Sequence, residues 1–369
     1  MTDLEFPAAG WPGRLAVGLT RSWWAAAPLP PLKPLGTVYG WGARLRRGLH
    51  AALGRTERAA RPVISLGNLT VGGSGKTPLA LPLAGLLLDQ GHRPAILSRG
   101  YGRRPTFPGP LVVSRGAGPL AGPAESGDEP WLMAETLPAL RVVVDQDRPR
   151  AARLAVTELG ADILILDDGF QYLPLAADCR ILLAPVRQPF GNGAVLPAGP
   201  LREPLAAHRL AHILVSTGDH SPSPDLTALA QGRPLFTAVH YPKGWRRPGE
   251  KELRPPEALA GRPVLAFCGL GRPDSFQRTL LHLNLDIRRF LALADHQTYD
   301  GRRLLAGLGL AFTASGADFM VTTAKDAVKL PPDWPWPVLI LETELRLDNP
   351  SAFFQAVLKA ANLNDDRPV

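Results

Sequence analysis

The chain has 369 residues, of which 45% are hydrophobic and 20% charged, with a formal net charge of +8. That apolar content excludes a disordered chain, and the length suits about two domains of ordinary size. The two cysteines, Cys179 and Cys268, stand outside any Cys/His cluster, which excludes a disulfide scaffold or zinc module and favours a reducing compartment.

In chain order, residues 1–61 come first as a basic, aromatic segment. They carry nine Lys/Arg against three acids, whereas the remaining 308 residues carry 32 against 30. Trp11, Trp23, Trp24, Tyr39 and Trp41 lie in this segment among Leu, Ala and Val. Trp and Tyr favour the bilayer interface, and Lys/Arg are drawn to anionic headgroups. The segment therefore reads as an interfacial membrane anchor, as a nucleic-acid patch, or as a basic helical flap over the next domain. Pro28, Pro30, Pro31 and Pro34 divide it into at least two short pieces. No run of ~18 uncharged apolar residues is present to span a bilayer. The start, with Asp3 and Glu5, lacks the basic n-region of a secretory signal. The expectation is a cytosolic protein, or one on a cytosolic surface.

From residue 62, short β-branched runs alternate with helical stretches. Strands are expected at Val63–Leu66, Ala95–Ser98, Leu111–Ser114, Arg141–Asp145, Ile163–Leu166, Ile181–Ala184 and Ile213–Ser216, with helices at Pro78–Gln90, Glu129–Thr136 and Arg148–Leu159. Several of these strands are apolar throughout, as strands buried on both faces of a parallel sheet are. This predicts a P-loop NTPase-like doubly wound α/β domain over 62–237. Residues 238–262, rich in Pro, Lys, Arg and Gly, read as a linker. A second, smaller α/β domain over 263–369 is expected to hold strands at Val264–Cys268, Ile287–Leu293, Phe319–Thr322 and Val338–Leu341. Its helices are expected near Asp274–Leu283 and Arg302–Ala314, with a last one over Ser351–Ala361 capped by Ser351.

The chemistry is densest in the run NLTVGGSGKT, residues 68–77, between a strand and a helix. Thr70, Val71, Gly72, Gly73, Ser74, Gly75, Lys76 and Thr77 form a phosphate-binding loop. Its glycines let successive N–H groups converge on phosphate oxygens, Lys76 can reach the β- and γ-phosphates, and Thr77 can ligate Mg²⁺. Thr70 replaces the first glycine of the GxxxxGK[ST] pattern. Downstream, the apolar run ending in Asp167 and Asp168 places two acids at a strand's C-terminal edge, where one can hold Mg²⁺.

Other segments narrow the choice: SRGYG (98–102), GDEP (127–130), LPAGPLREP (196–204), ADHQTYD (294–300) and VTTAKDAVKL (321–330). In order with the phosphate loop and DDGFQ (167–171), they resemble the tetraacyldisaccharide 4′-kinase family, the lipid A 4′-kinases. The resemblance runs from about residue 28 to residue 345, with Ser74 where a Thr is usual. It implies an ATP- and Mg²⁺-dependent kinase that phosphorylates the 4′-hydroxyl of an acylated glucosamine disaccharide 1-phosphate. It also implies a location on the cytoplasmic face of the bacterial inner membrane. The N-terminal segment is then expected to meet the membrane, with no nucleic-acid partner.

Under that resemblance, Lys76 and Thr77 bind triphosphate and metal, with Asp167 or Asp168 completing the metal site and Glu203 within reach of it. Asp128 matches the position that activates the sugar hydroxyl, and His296 its partner, the two being brought together by a lid-like closure of the two domains. Read alone, Asp128 is as readily a helix cap and Asp295–His296 a loop pair. Arg148 and Arg202 are candidates for phosphate charge, with exposed loop charge as the plainer reading. Tyr101 and Gln171 match positions lining the family's site. The Thr323–Asp326 turn reads as a nucleotide-base contact or as a strand end, and Gly269–Gly271 as packing. The runner-up function is a P-loop switch ATPase or GTPase acting on a protein. Against it stand the absence of a signature Lys at Val71 and of an Asn-Lys-x-Asp motif.

Overall fold

The computed structural model describes residues 23–24, 28, 30–71, 76–101, 103, 109–218, 220–295 and 297–363, without the side chains of residues 76–78. Two compact units result: one is His240–Glu344, and the other joins the described residues up to Val239 to those from Leu345 on.

The larger unit opens with helix α1 (Lys33–Ala52), preceded by a 3₁₀ turn at Pro30–Leu32. Pro34 falls in the helix's first turn, where its missing N–H costs nothing. The prolines therefore end at the helix start, and the piece that follows them is one 20-residue helix, longer than the short piece expected. Next come β1 (Val63–Gly67), α2 (Lys76–Asp89), β2 (Pro94–Ser98), β3 (Leu111–Arg115), α3 (Asp128–Thr136) and β4 (Arg141–Val144). They are followed by α4 (Arg148–Thr157), β5 (Ile163–Leu166), β6 (Cys179–Pro185), β7 (Ile213–Thr217), α5 (Pro224–Ala230) and β8 (Leu235–Arg246).

Within this unit the strand order is β8-β7-β6-β1-β5-β2-β4-β3. All neighbours are parallel except β3, which runs antiparallel to β4 at the edge. The central register pairs Ile64 with Ile165 and Leu66 with Ile181. β1, β2 and β5 are buried at every position, because helices cover both faces. Ile64, Leu66, Ile165 and Ile181 pack with Leu79, Leu83 and Leu87 of α2 and Met133 of α3 on one face. Val63, Leu97 and Leu164 pack with Ala151, Ala152 and Ala155 of α4 on the other. Each fully buried Leu or Ile contributes about 1.5–3 kcal/mol, so these two layers fix the strand ends that carry the motifs.

The smaller unit holds β9 (Pro263–Cys268), α6 (Pro273–His282), β10 (Asp286–Ala292), α7 (Arg302–Ser315), β11 (Phe319–Thr323) and β12 (Val338–Leu347), in parallel order β10-β9-β11-β12. The stretch expected as a linker is ordered structure. β8 continues to Arg246, and Trp245 is fully buried with its indole N–H donating to the Pro256 carbonyl at 2.8 Å. Its basic residues are paired, Arg246 with Glu342 at 2.7 Å and Lys243 with Glu344 at 3.8 Å. The last helix, α8 (Pro350–Ala360), is capped by Asn349, whose side chain accepts from the Ala352 N–H, and not by Ser351. Phe353 and Val357 return it to the core of the larger unit, with Phe353 edge-on to Phe236 at 5.4 Å. Both cysteines are free and buried, and burial pushes each thiol up to about 12.

Candidate active site

The parallel strands β6, β1, β5, β2 and β4 end on one edge of the sheet, and the loops leaving that edge carry the larger unit's motifs. β1 delivers Asn68 to Val71, and α2 begins at Lys76, the strand–loop–helix context that a phosphate loop needs. Thr70 is buried and Val71 half-buried. Gly72, Gly73, Ser74, Gly75 and His296 lie outside the described residues, as do the side chains of Lys76 and Thr77. Trp11, Arg14 and Arg21 of the N-terminal segment lie outside them too.

β5 delivers Asp167 and Asp168, and the two acids part ways at once. Asp167 is buried, and the Ser98 hydroxyl at the end of β2 donates to it at 3.4 Å. Asp168 adopts φ 52°, a left-handed conformation that Asp tolerates better than most residues. Its two carboxylate oxygens are approached by one terminal nitrogen of Arg202, at 2.9 and 2.8 Å. Glu203 is likewise held, both of its oxygens meeting Arg47 at 2.9 and 2.7 Å. Of the three carboxylates among the candidate metal ligands, Asp168 and Glu203 meet arginines, and Asp167 meets Ser98 at the strand edge. A carboxylate there with the hydroxyl of Thr77 is the hard oxygen set that suits Mg²⁺.

The SRGYG and GDEP segments meet through glycine. Gly127 has φ 91°, and a side chain there would press on the Tyr101 carbonyl at 2.8 Å. Gly100, at φ 65°, has no room for a side chain beside the Ser126 carbonyl and Val144. Asp128 follows this contact as the first residue of α3; Gly127 occupies the N-cap position, and no side chain caps the helix. The capping alternative for Asp128 is therefore excluded. A carboxylate in the first turn is stabilised by the positive end of α3. Tyr101 is exposed.

At the end of β4, Asp145 meets Arg150 in a true fork, at 2.7 and 2.9 Å. Burial would raise the Asp145 carboxyl, but hydrogen bonds from Arg150 and the Asp147 N–H outweigh it and hold the group below its ordinary value. Arg148, first in α4, is buried with its guanidinium over the Tyr172 ring at 4.8 Å from the centroid. Burial depresses its proton affinity while Asp167 and Asp168 raise it, so Arg148 sits within electrostatic reach of both acids. Gln171 donates to the Asn68 carbonyl at 2.7 Å and so ties the DDGFQ turn to the residues entering the phosphate loop. Asp145 and the Arg46–Arg47 pair join this edge, as does Ser98, which opens the SRGYG segment. Asp145 carried a signal, an acid closing a strand as Asp167 does; the arginines carried none beyond the basic segment.

In the smaller unit, the TAKD turn is an internal brace. Asp326 is fully buried and accepts from the Gly269 N–H at 3.1 Å, the Tyr299 hydroxyl at 2.9 Å and the Thr323 hydroxyl at 2.7 Å. Burial, with the nearby Asp326 charge, pushes the Tyr299 hydroxyl far above its ordinary value and keeps it a donor. Lys325 reaches Asp295 at 3.2 Å, which ties the turn to the residue before His296. Gly269 packs against the Ala294 carbonyl, in keeping with its reading as a packing glycine.

A model of the tetraacyldisaccharide-1-P 4′-kinase family matches residues 29–362. The chain belongs to this family. Curated relatives named tetraacyldisaccharide 4′-kinase include one from Pelobacter propionicus, 42% identical over 86% of this chain and 87% of that protein. Another, from Methylobacterium nodulans, is 41% identical over 92% of this chain and 93% of that protein. Among solved structures, LpxK from Aquifex aeolicus in complex with ATP matches with a TM-score of 0.70 and 33% identity, covering 89% of this chain and 98% of that one. Membership of the 4′-kinase family favours the kinase reading over the switch ATPase or GTPase, and the α/β fold agrees with it.

Proposed function

We propose that this chain transfers the γ-phosphoryl group of ATP to the 4′-hydroxyl of a tetraacylated glucosamine disaccharide 1-phosphate, at the cytoplasmic face of the bacterial inner membrane. The observation that carries the reading is the convergence, at one sheet edge, of the phosphate-loop strand, Asp167 beside Ser98, and the SRGYG–GDEP contact preceding Asp128. In phosphoryl transfer the protein's work is positioning and charge stabilisation. The amides at the start of α2 and Lys76 hold the triphosphate. Asp128 accepts the proton of the attacking hydroxyl, a step worth about 10²–10⁴-fold. Arg148 supplies positive charge near the transferring group, and Tyr101 offers an exposed ring to the sugar. Thr77 and Asp167 would hold Mg²⁺, which when bound neutralises phosphate charge.

The acceptor is a lipid, and α1 suits it. Leu35, Val38, Trp41, Leu45 and Leu49 are exposed along this helix beside Arg44, the pattern of a helix lying in a headgroup layer. No helix among the described residues is long and apolar enough to cross a membrane. A cleft of about 460 Å³ between α1 and residues 193–205 is lined by Lys33, Trp41, Arg44, Val195 and Leu205, a mixture of charge and apolar surface that suits an anionic lipid.

The test is transfer of labelled γ-phosphate from Mg·ATP to the tetraacylated disaccharide 1-phosphate in mixed micelles, with Lys76→Ala alongside. Label entering the organic phase with wild type alone is expected. Folded wild type that binds ATP yet labels no lipid would contradict the reading. Flotation with anionic vesicles tests the membrane part separately.

A further inference from the structure

We propose that Arg47 is a positioning residue for phosphoryl transfer, through which α1 holds the loop that braces the phosphate-binding turn; this rests on the kinase reading above. Glu203 is 3% exposed, and Arg47 meets both of its oxygens. A buried carboxylate needs a counter-charge, and the ion pair with Arg47 supplies it. Glu203 belongs to a loop stitched to the entrance of the phosphate loop. The Val71 N–H donates to the Pro200 carbonyl at 2.8 Å, and the Arg202 N–H donates to the Leu69 carbonyl at 2.7 Å. Arg202 then reaches Asp168.

The adjacent Arg46 grips the other flank. It donates to the Gln171 carbonyl at 3.3 Å, and the Gln171 amide returns to Asn68 at 2.7 Å. Two consecutive arginines of one helix therefore hold both segments that border residues 68–71. Trp23 adds a tie to the same loop, its indole N–H donating to the Pro197 carbonyl at 2.9 Å.

The helix thus has two separable roles. Its exposed apolar residues meet the lipid surface, while Arg47 sets the geometry at which ATP is held. With Arg47 removed, the Glu203 charge is buried without its partner, so the loop must open to hydrate it. That displaces the residues that enter the phosphate loop, and a shift of about 1 Å near reacting groups can cost about 10²-fold. Glu203 is in this account the loop's anchor and not a metal ligand.

The experiment compares wild type with Arg47→Ala, Arg47→Lys, Glu203→Ala and the double variant Arg47→Ala/Glu203→Ala. Four readouts are taken: kcat at saturating micellar lipid, affinity for a fluorescent ATP analogue, Mg²⁺ half-saturation, and flotation with anionic vesicles. Arg47→Ala is expected to lower kcat about 10²-fold and to weaken the ATP analogue several-fold, with flotation unchanged. Arg47→Lys, which returns the charge, should recover part of both. The double variant should be no worse than Arg47→Ala, because the buried charge is gone as well. Glu203→Ala should leave Mg²⁺ half-saturation unchanged. Wild-type kcat and analogue affinity in Arg47→Ala would overturn the proposal. So would a loss erased by raising the lipid surface, or a raised Mg²⁺ requirement in Glu203→Ala alone. If Arg47→Ala fails to fold, Arg47→Lys decides, since wild-type values there mean that the paired geometry is not needed. If wild type labels no lipid, the kinase reading has failed, and analogue affinity still judges the coupling.

Discussion

Strands β5 and β11 each end in an acidic turn, and the two turns do different work. After β5, Asp167 lies at the sheet edge, where the Ser98 hydroxyl donates to it, while Asp168 turns away to Arg202. After β11, Asp326 is enclosed by a backbone N–H, two hydroxyls and Lys329 at 3.3 Å, with no exposed surface. The first turn sets its acids among the phosphate-loop motifs at the sheet edge, and the second spends its carboxylate on donors inside the smaller unit. An acid closing a parallel strand is therefore no sign of a site by itself; what surrounds it decides.

The sharpest way to break this comparison is to remove each acid. Asp167→Ala is expected to lower phosphoryl transfer by about 10³-fold, or about 4 kcal/mol of transition-state stabilisation, while the urea unfolding midpoint stays near wild type. Asp326→Ala should do the reverse. Loss of a buried, fully bonded charge costs about 3–5 kcal/mol, read as an earlier unfolding transition of the smaller unit, with ATP-analogue affinity unchanged in the protein that remains folded. If Asp326→Ala left stability intact and abolished nucleotide binding, the two turns would be alike after all.

A smaller effect sharpens the comparison from the backbone. A side chain on Gly67, the last residue of β1, would overlap the Phe170 Cβ and approach the Phe170 nitrogen at 2.8 Å. Phe170 follows the two acids, so Gly67→Ala should destabilise the larger unit by about 1–3 kcal/mol and lower activity together with stability. Activity retained at full stability would show that the turn after β5 has slack.

The smallest effect is in pH. Asp145 has a folded value below its ordinary one, so its contribution is present above the ordinary carboxylate range and is lost as pH falls through the depressed value. Asp145→Asn should therefore lower stability across the neutral region and flatten the acid limb, the two curves converging as pH falls. An unaltered acid limb would mean that the Arg150 fork contributes nothing.

The central strands were legible in the sequence because they are short, mostly apolar and closed by Gly, Ser or Asp. β1, β2 and β5 lie within a residue of their expected positions, since burial on both faces leaves only Ser65 and Ser98 as polar residues in them. Residues 238–262 misled because β8 carries Lys243 and Arg246, whose pairing with Glu344 and Glu342 is invisible until the chain folds. The last helix is announced by its capping signal but reads as part of the smaller domain, because a return to Phe236 across more than a hundred residues leaves no local trace. At the site, the phosphate loop and the β5 acids announced themselves by spacing. The arginine contacts did not: Arg47 and Glu203 are 156 positions apart.

The most direct measurement is ³¹P NMR of the lipid recovered after incubating wild type with Mg·ATP and the tetraacylated disaccharide 1-phosphate. The account predicts one new phosphomonoester signal at the 4′-position, formed in equal amount with ADP and missing with Asp128→Ala. ADP released without a new lipid phosphate, or phosphate at another hydroxyl, would contradict it.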